Sequence, residues 1–117
     1  MSKGEWELTG DRLVEVLATL ASPHRLRVLA ALTGGRTYVS QLARDLGISR
    51  ALLQVHLKKL EKAGLVTAQL ELSEDGKALK FYEATAFSLH LTPDVVAAAV
   101  TTLSTAGDGD AVPKGTS

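Results

Sequence analysis

The sequence predicts a mostly α chain with a small β-hairpin, of the α+β class, with about five helices and a two- to three-stranded sheet. Three observations predict it. Between Tyr38 and Val66, two short helical patterns meet at a tight joint on Gly47. After Gly64 the apolar period changes from 3.6 to 2, as it does where strands follow a helix. Two more segments open with Ser22-Pro23 and Thr92-Pro93, each a capping residue followed by Pro at the first helical position.

The 117 residues suit one domain. Hydrophobic residues make up 45% and aromatics only 4%, so the core must be small and built from Leu, Val and Ala. There is no cysteine, which excludes disulfides and thiolate metal ligands and fits a cytoplasmic protein. No apolar run approaches the ~20 residues of a membrane span, so no membrane partner is expected. The opening MSKGEWELTGD lacks the apolar stretch of a secretory leader.

The formal net charge is zero, but its distribution is uneven. From Arg36 to Gly64, six basic residues (Arg36, Arg44, Arg50, Lys58, Lys59, Lys62) face two acidic ones (Asp45, Glu61), a net of plus four. From Leu65 to Ser117, three basic residues face seven acidic ones, a net of minus four. A positive field over the paired helices is where phosphate would be met. A solvated helix face would carry the same charges.

In chain order, residues 1–8 are expected to be a flexible N-terminus, with Trp6 either packed on a partner or without a role. Thr9 caps a helix over Gly10 to Leu20, with Leu13, Val16, Leu17 and Leu20 on its apolar side. Val14 widens that stripe beyond what one small core needs, which points to surface buried against another chain. The next helix, from Pro23, is expected to carry Leu26, Leu29 and Leu32 inward, with Val28 and Ala30 beside them, and to end at Gly34-Gly35. Thr37-Tyr38-Val39 is long enough only for a short strand that pairs with the hairpin.

Ser40 is read as the cap of the following helix, with Leu42, Ala43 and Leu46 inward and Gly47 ending it. Ile48 plugs the joint and Ser49 caps a second helix that runs to about Ala63. Leu53, Leu57 and Leu60 form its buried stripe, leaving Arg50, Ala51, Gln54, Val55 and Lys58 facing out. Two capped helices joined by a short turn with Gly make a helix-turn-helix. Leu65 to Leu72 and Ala78 to Ala84 are β-prone, and the polar turn Ser73–Lys77 contains Asp-Gly. This hairpin after the second helix is a wing.

Phe87, Leu89 and Leu91 suggest a short extended piece. A last helix follows from Pro93, apolar nearly all round through Val95, Val96, Ala97, Ala98, Ala99, Val100 and Leu103. Such a helix is buried on several sides, by a partner chain or by folding back on its own core. Residues 106–117 read as a disordered tail after a domain of residues 9–105.

The segment SQLARDLGISRALLQVHLKKLEKAGLV resembles the DNA-binding core of the ArsR-like winged helix-turn-helix regulators, most of all in its Gly-Ile-Ser joint and HLxxLExxGLV ending. LASPHRLRVLAAL resembles their preceding helix, and with its flanks the likeness runs from about Leu13 to Leu91. The resemblance implies a homodimeric DNA-binding regulator, a repressor, pairing through its first and last helices. Leu13, Val14, Leu17, Val95, Val96, Ala99, Val100 and Leu103 would then form the dimer interface.

The docking geometry of a helix-turn-helix suggests residue roles. Arg50 is expected to bond guanine O6 and N7, and Gln54 the edge of adenine. Ala51, Leu52 and Val55 would meet thymine methyls, and Lys58 a phosphate. Ser40, Gln41 and the helix start at Ser49 are further phosphate candidates, since helix N-termini favour anions; Thr37 and Tyr38 are weaker ones. The wing would touch DNA through Lys77 and Lys80, or serve structure alone, because Glu74 and Asp75 make its tip acidic. The expected partner is double-stranded DNA with an inverted repeat read by a homodimer.

His56 is expected to pack or to meet phosphate; His24 and His90 show no ligand spacing. Some ArsR-like members sense metals through cysteines, or through Asp and His on the last helix. This chain lacks cysteine and has Asp94 but no His there, so no metal or cofactor is expected and the effector is left open. No phosphate loop, carboxylate pair or Ser/His/Asp grouping points to an enzyme. The alternative to a DNA-binding regulator is a winged-helix module that binds protein.

Overall fold

The computed structural model describes residues 8–104. Trp6, most of the N-terminal segment and the expected tail lie outside the described residues. Helix α1 (Gly10–Leu20) and helix α2 (Pro23–Leu32) are followed by strand β1 (Thr37–Tyr38), α3 (Val39–Leu46) and α4 (Arg50–Lys62). The hairpin β2 (Val66–Leu72) and β3 (Ala78–Ala84) leads to α5 (Pro93–Val100). The sheet is antiparallel in the order β1-β3-β2, with Tyr38 opposite Phe81 and Leu70 opposite Lys80.

Caps set most of the helix starts. The Oγ atoms of Thr9, Ser22, Ser49 and Thr92 each accept an amide bond from the first turn that follows. The expected cap at Ser40 is not formed. Helix α3 begins two residues earlier than a cap at Ser40 would set it, because Val39 is only 8% exposed and enters the helix as a core residue. Tyr38 becomes the N-cap and supplies no side-chain bond. Gly47 closes α3 in the left-handed conformation, φ 69°, and its amide bonds back to Ala43 and Arg44.

The core packs α2, α3, α4 and the inner face of the sheet. Leu42, Leu53, Leu57, Leu60 and Leu65 are fully buried, each contributing roughly 1.5–3 kcal/mol relative to exposure. Ile48 packs against this core from the joint, as does Phe87 from the strand end. Leu26 departs from expectation: it is 52% exposed, while Val28, Leu29 and Leu32 are buried. A spacing of three advances by less than a full turn, so Leu26 rotates away from the direction shared by Val28 and Leu32. Ala30 is exposed as well.

Residues 85–92 form no strand, and the last helix ends at Val100 rather than at Leu103. Helix α5 packs on α1, where the amide of Gly10 donates to Thr102 Oγ1 at 2.7 Å and that of Ser104 to Asp11 Oδ1 at 2.9 Å. Gly10 permits this approach: a Cβ there would lie 2.4 Å from the Ala99 carbonyl oxygen. Within one chain only Ala99 of α5 is buried.

Candidate nucleic-acid interface

Leu53, Leu57 and Leu60 fix the roll of α4 about its axis. That roll leaves Arg50, Ala51, Leu52, Val55 and Lys58 exposed and Gln54 half-buried. The face predicted to point away from the core therefore does so.

A cleft of about 200 Å³ joins three parts of the chain, lined by Tyr38, Val39, Ser40, Arg50, Gln54, Ala78, Leu79 and Lys80. Four of the predicted site residues, Ser40, Arg50, Gln54 and Lys80, thus meet around one concavity. Together they offer a hydroxyl, a guanidinium, an amide and an ammonium, and the lining holds no carboxylate. Such a set can donate to phosphate oxygens and to base edges alike. The start of α3 opens beside it without a capping side chain, which suits an anion. At α4, by contrast, Ser49 already occupies the Leu52 amide at 3.0 Å. The uncapped start of α3 was not legible in the sequence because it depends on the burial of Val39, nor was the lining from Ala78 and Leu79, which depends on where the wing returns.

Other predicted residues stand apart. Gln41 donates to Asp45 Oδ1 at 2.8 Å and accepts from Arg44 Nη2 at 2.7 Å, so its amide is engaged along its own helix. Lys77 is exposed in the wing turn and does not line the cleft. In that turn Ser73 Oγ donates to Asp75, which holds the Asp75 carboxyl below its ordinary range and keeps the tip acidic. Lys80 Nζ sits 5.6 Å from the Tyr82 ring centre.

Arg36 belongs to the sheet rather than to the cleft. Its guanidinium lies 4.3 Å from the Phe81 ring centre and meets both oxygens of Glu71, at 2.5 and 3.1 Å. The pair raises the Arg36 pKa and lowers that of Glu71. One of the six cations in the positive segment is thereby neutralised in space.

His56 is buried in α4, and His24, distant in sequence, stacks on its ring. Among the described residues, no group of three or more His, Cys, Asp or Glu is placed to hold a metal ion. No described helix is long and apolar enough to cross a membrane.

A second feature lies on α1 and α5. Gly10, Leu13, Val14, Leu17, Val96, Ala99, Val100 and Leu103 line an almost wholly apolar cleft of about 200 Å³. Val14 is 56% exposed and Val100 53%. Leu13 and Ala99 are buried within the chain, and Val95 is half-buried and outside the cleft.

The family model of bacterial regulatory proteins of the arsR family matches residues 22–68. An uncharacterized HTH-type transcriptional regulator of Methanocaldococcus jannaschii is 31% identical over 84 residues, covering 72% of this chain and 87% of the relative. The HTH-type transcriptional regulator CmtR of Mycobacterium tuberculosis is 40% identical over 65 residues, covering 56% of this chain and 55% of CmtR. In structure, the chain is similar to a homodimeric winged helix-turn-helix DNA-binding domain from Mycobacterium bovis, a possible ArsR-family regulator. That likeness has a TM-score of 0.58 at 23% identity, covering 85% of this chain and 82% of that one.

Proposed function

Because the chain belongs to the arsR family of bacterial regulatory proteins, transcriptional regulators with a winged helix-turn-helix DNA-binding fold, we propose that it is a homodimeric repressor that reads an inverted repeat. The observation that carries this reading is the carboxylate-free cleft shared by Ser40, Arg50, Gln54 and Lys80. Helix α4 enters the major groove with its N-terminal half toward base edges. Arg50 reads guanine, Gln54 reads adenine, and Ala51, Leu52 and Val55 meet thymine methyls. Lys58, Lys80 and the uncapped start of α3 at Ser40 and Gln41 take phosphates, with Ser49 and Lys77 at the margins.

The apolar face of α1 and α5 supports pairing. An exposed apolar patch with almost no polar lining is a surface that water disfavours and a second copy would cover. Val14, Leu17, Val96, Val100 and Leu103 form its exposed part. A two-fold axis through it presents two recognition helices about 34–36 Å apart. The Mycobacterium bovis domain, described as homodimeric, supports the same arrangement. Repression is the mode that the resemblance to this family of repressors suggests.

The test is fluorescence anisotropy with DNA upstream of the chain's own gene, against random DNA over a salt series. A preference of about a thousandfold with a steep salt slope is expected. Equal, weak binding to both, together with an empty selection from random DNA, would favour a protein-binding module. Leu70 and Leu72, exposed on the wing above an acidic tip, are the observation that favours that second reading.

A further inference from the structure

Helix α1 has no basic residue in its own last turn. Arg25 supplies one from α2: its Nε donates to the Thr19 carbonyl at 2.6 Å and its Nη2 to that of Ala18 at 3.5 Å. A cation at that end offsets the partial negative charge of the helix. The remaining nitrogen, Nη1, lies 3.5 Å from Nδ1 of His56, in the middle of α4. The His24 ring stacks on His56 with centroids 5.4 Å apart and planes 24° from parallel. His56 is 8% exposed, and its Nε2 is buried with no hydrogen-bond partner. A guanidinium only donates, so Nδ1 accepts and the ring is neutral with its proton on Nε2. One side chain therefore ties α1, which carries the apolar face, to α4, which carries the base-facing residues.

We propose that Arg25 is a positioning residue for DNA binding: with neutral His56 as its acceptor, it holds the recognition helix at a fixed angle to helix α1. This rests on the reading of the chain as a DNA-binding dimer. Protonating His56 turns Nδ1 into a donor that faces a donor. It also sets a cation beside Arg25 and His24 of α2 and Lys59 of its own helix. On the α1 side Glu15 is the nearby carboxylate, and it is ion-paired with Arg12 at 3.1 Å. Acid therefore releases the contact. The direction is diagnostic, because added positive charge by itself strengthens binding to phosphate.

The experiment uses the full chain and a duplex recovered by selection from random DNA. Affinity is measured from pH 8 to pH 5.5 at constant ionic strength for wild type, Arg25→Lys and His56→Asn. Lysine keeps the charge but cannot reach three acceptors; asparagine keeps an acceptor near Nδ1 and does not titrate. The wild type is expected to lose about tenfold in affinity on acidification, the scale of one hydrogen bond to a charged group. Arg25→Lys is expected to be weaker by a similar factor at pH 8 with a flattened profile, its dimer and circular dichroism unchanged. His56→Asn is expected to bind well at pH 8 and also to lose the pH dependence. Specific binding whose strength and pH profile ignore both substitutions overturns the positioning role alone. No sequence preference in the wild type overturns the regulator reading and this role with it. Imidazole NMR of the free protein reads the contact without DNA, and a proton on Nδ1 at pH 8 overturns it. If His56→Asn does not fold, Arg25→Lys against wild type decides.

Discussion

Arg36 reaches across the central strand to meet Glu71, 35 residues away, with Nη2 to Oε1 at 3.1 Å. In between, Phe81 lies under the guanidinium. Register puts Phe81 opposite Gln69 and Lys80 opposite Leu70, so Arg36 and Lys80 serve opposite faces of the sheet. The contact braces the wing against β1.

Arg36→Gln is therefore expected to change DNA affinity by less than about threefold and to leave the salt slope unaltered, since no phosphate contact is lost. A slope shallower by about one unit in the anisotropy series would instead place Arg36 on the DNA.

Arg50→Ala and Gln54→Ala should each cost about 1–3 kcal/mol against the preferred site and relax its sequence at one position. Lys58→Ala should weaken all DNA sequences alike and lower the salt slope by about one. Competition with single-base variants of the duplex separates the two behaviours.

The meeting of α1 with α5 predicts two distinct effects. Gly10→Val drives a side chain into the Ala99 carbonyl and Leu103, and overpacking of this kind costs about 1–3 kcal/mol in thermal or urea unfolding. Val14→Glu, at an exposed position, should leave the fold intact and yield a monomer by light scattering. Loss of cooperative binding to an inverted repeat should accompany it.

Burial lowers the His56 pKa, with Arg25, His24 and Lys59 adding repulsion. The folded chain thus resists a proton that the unfolded chain accepts near pH 6.5. The unfolded state binds more protons between the folded and unfolded values, so stability rises with pH through that window. Urea midpoints should be level above about pH 7 and fall as pH drops below 6.5. A midpoint independent of pH from 7.5 to 5 in wild type would show His56 to be freely titrating.

The Ser and Thr caps, the left-handed Gly47 and the change of period after Gly64 were legible because each acts over three or four residues. The strand ends of the wing and the buried stripe of α4 were legible for the same reason. Packing overrode a local preference at two places: Val39 displaced Ser40 from the cap, and Val28 displaced Leu26 from the core.

Short-range periodicity and capping set the helix-turn-helix, the wing and the outward face of α4, so these follow from the order of residues alone. Which charges stay available is set by packing in three dimensions. It paired Arg36 with Glu71, turned Arg25 onto the end of α1 and His56, and drew Ser40, Arg50, Gln54 and Lys80 around one cleft. The reason is distance: partners 30 or more residues apart are selected by strand register and helix packing, and neither is written in the spacing of any one segment.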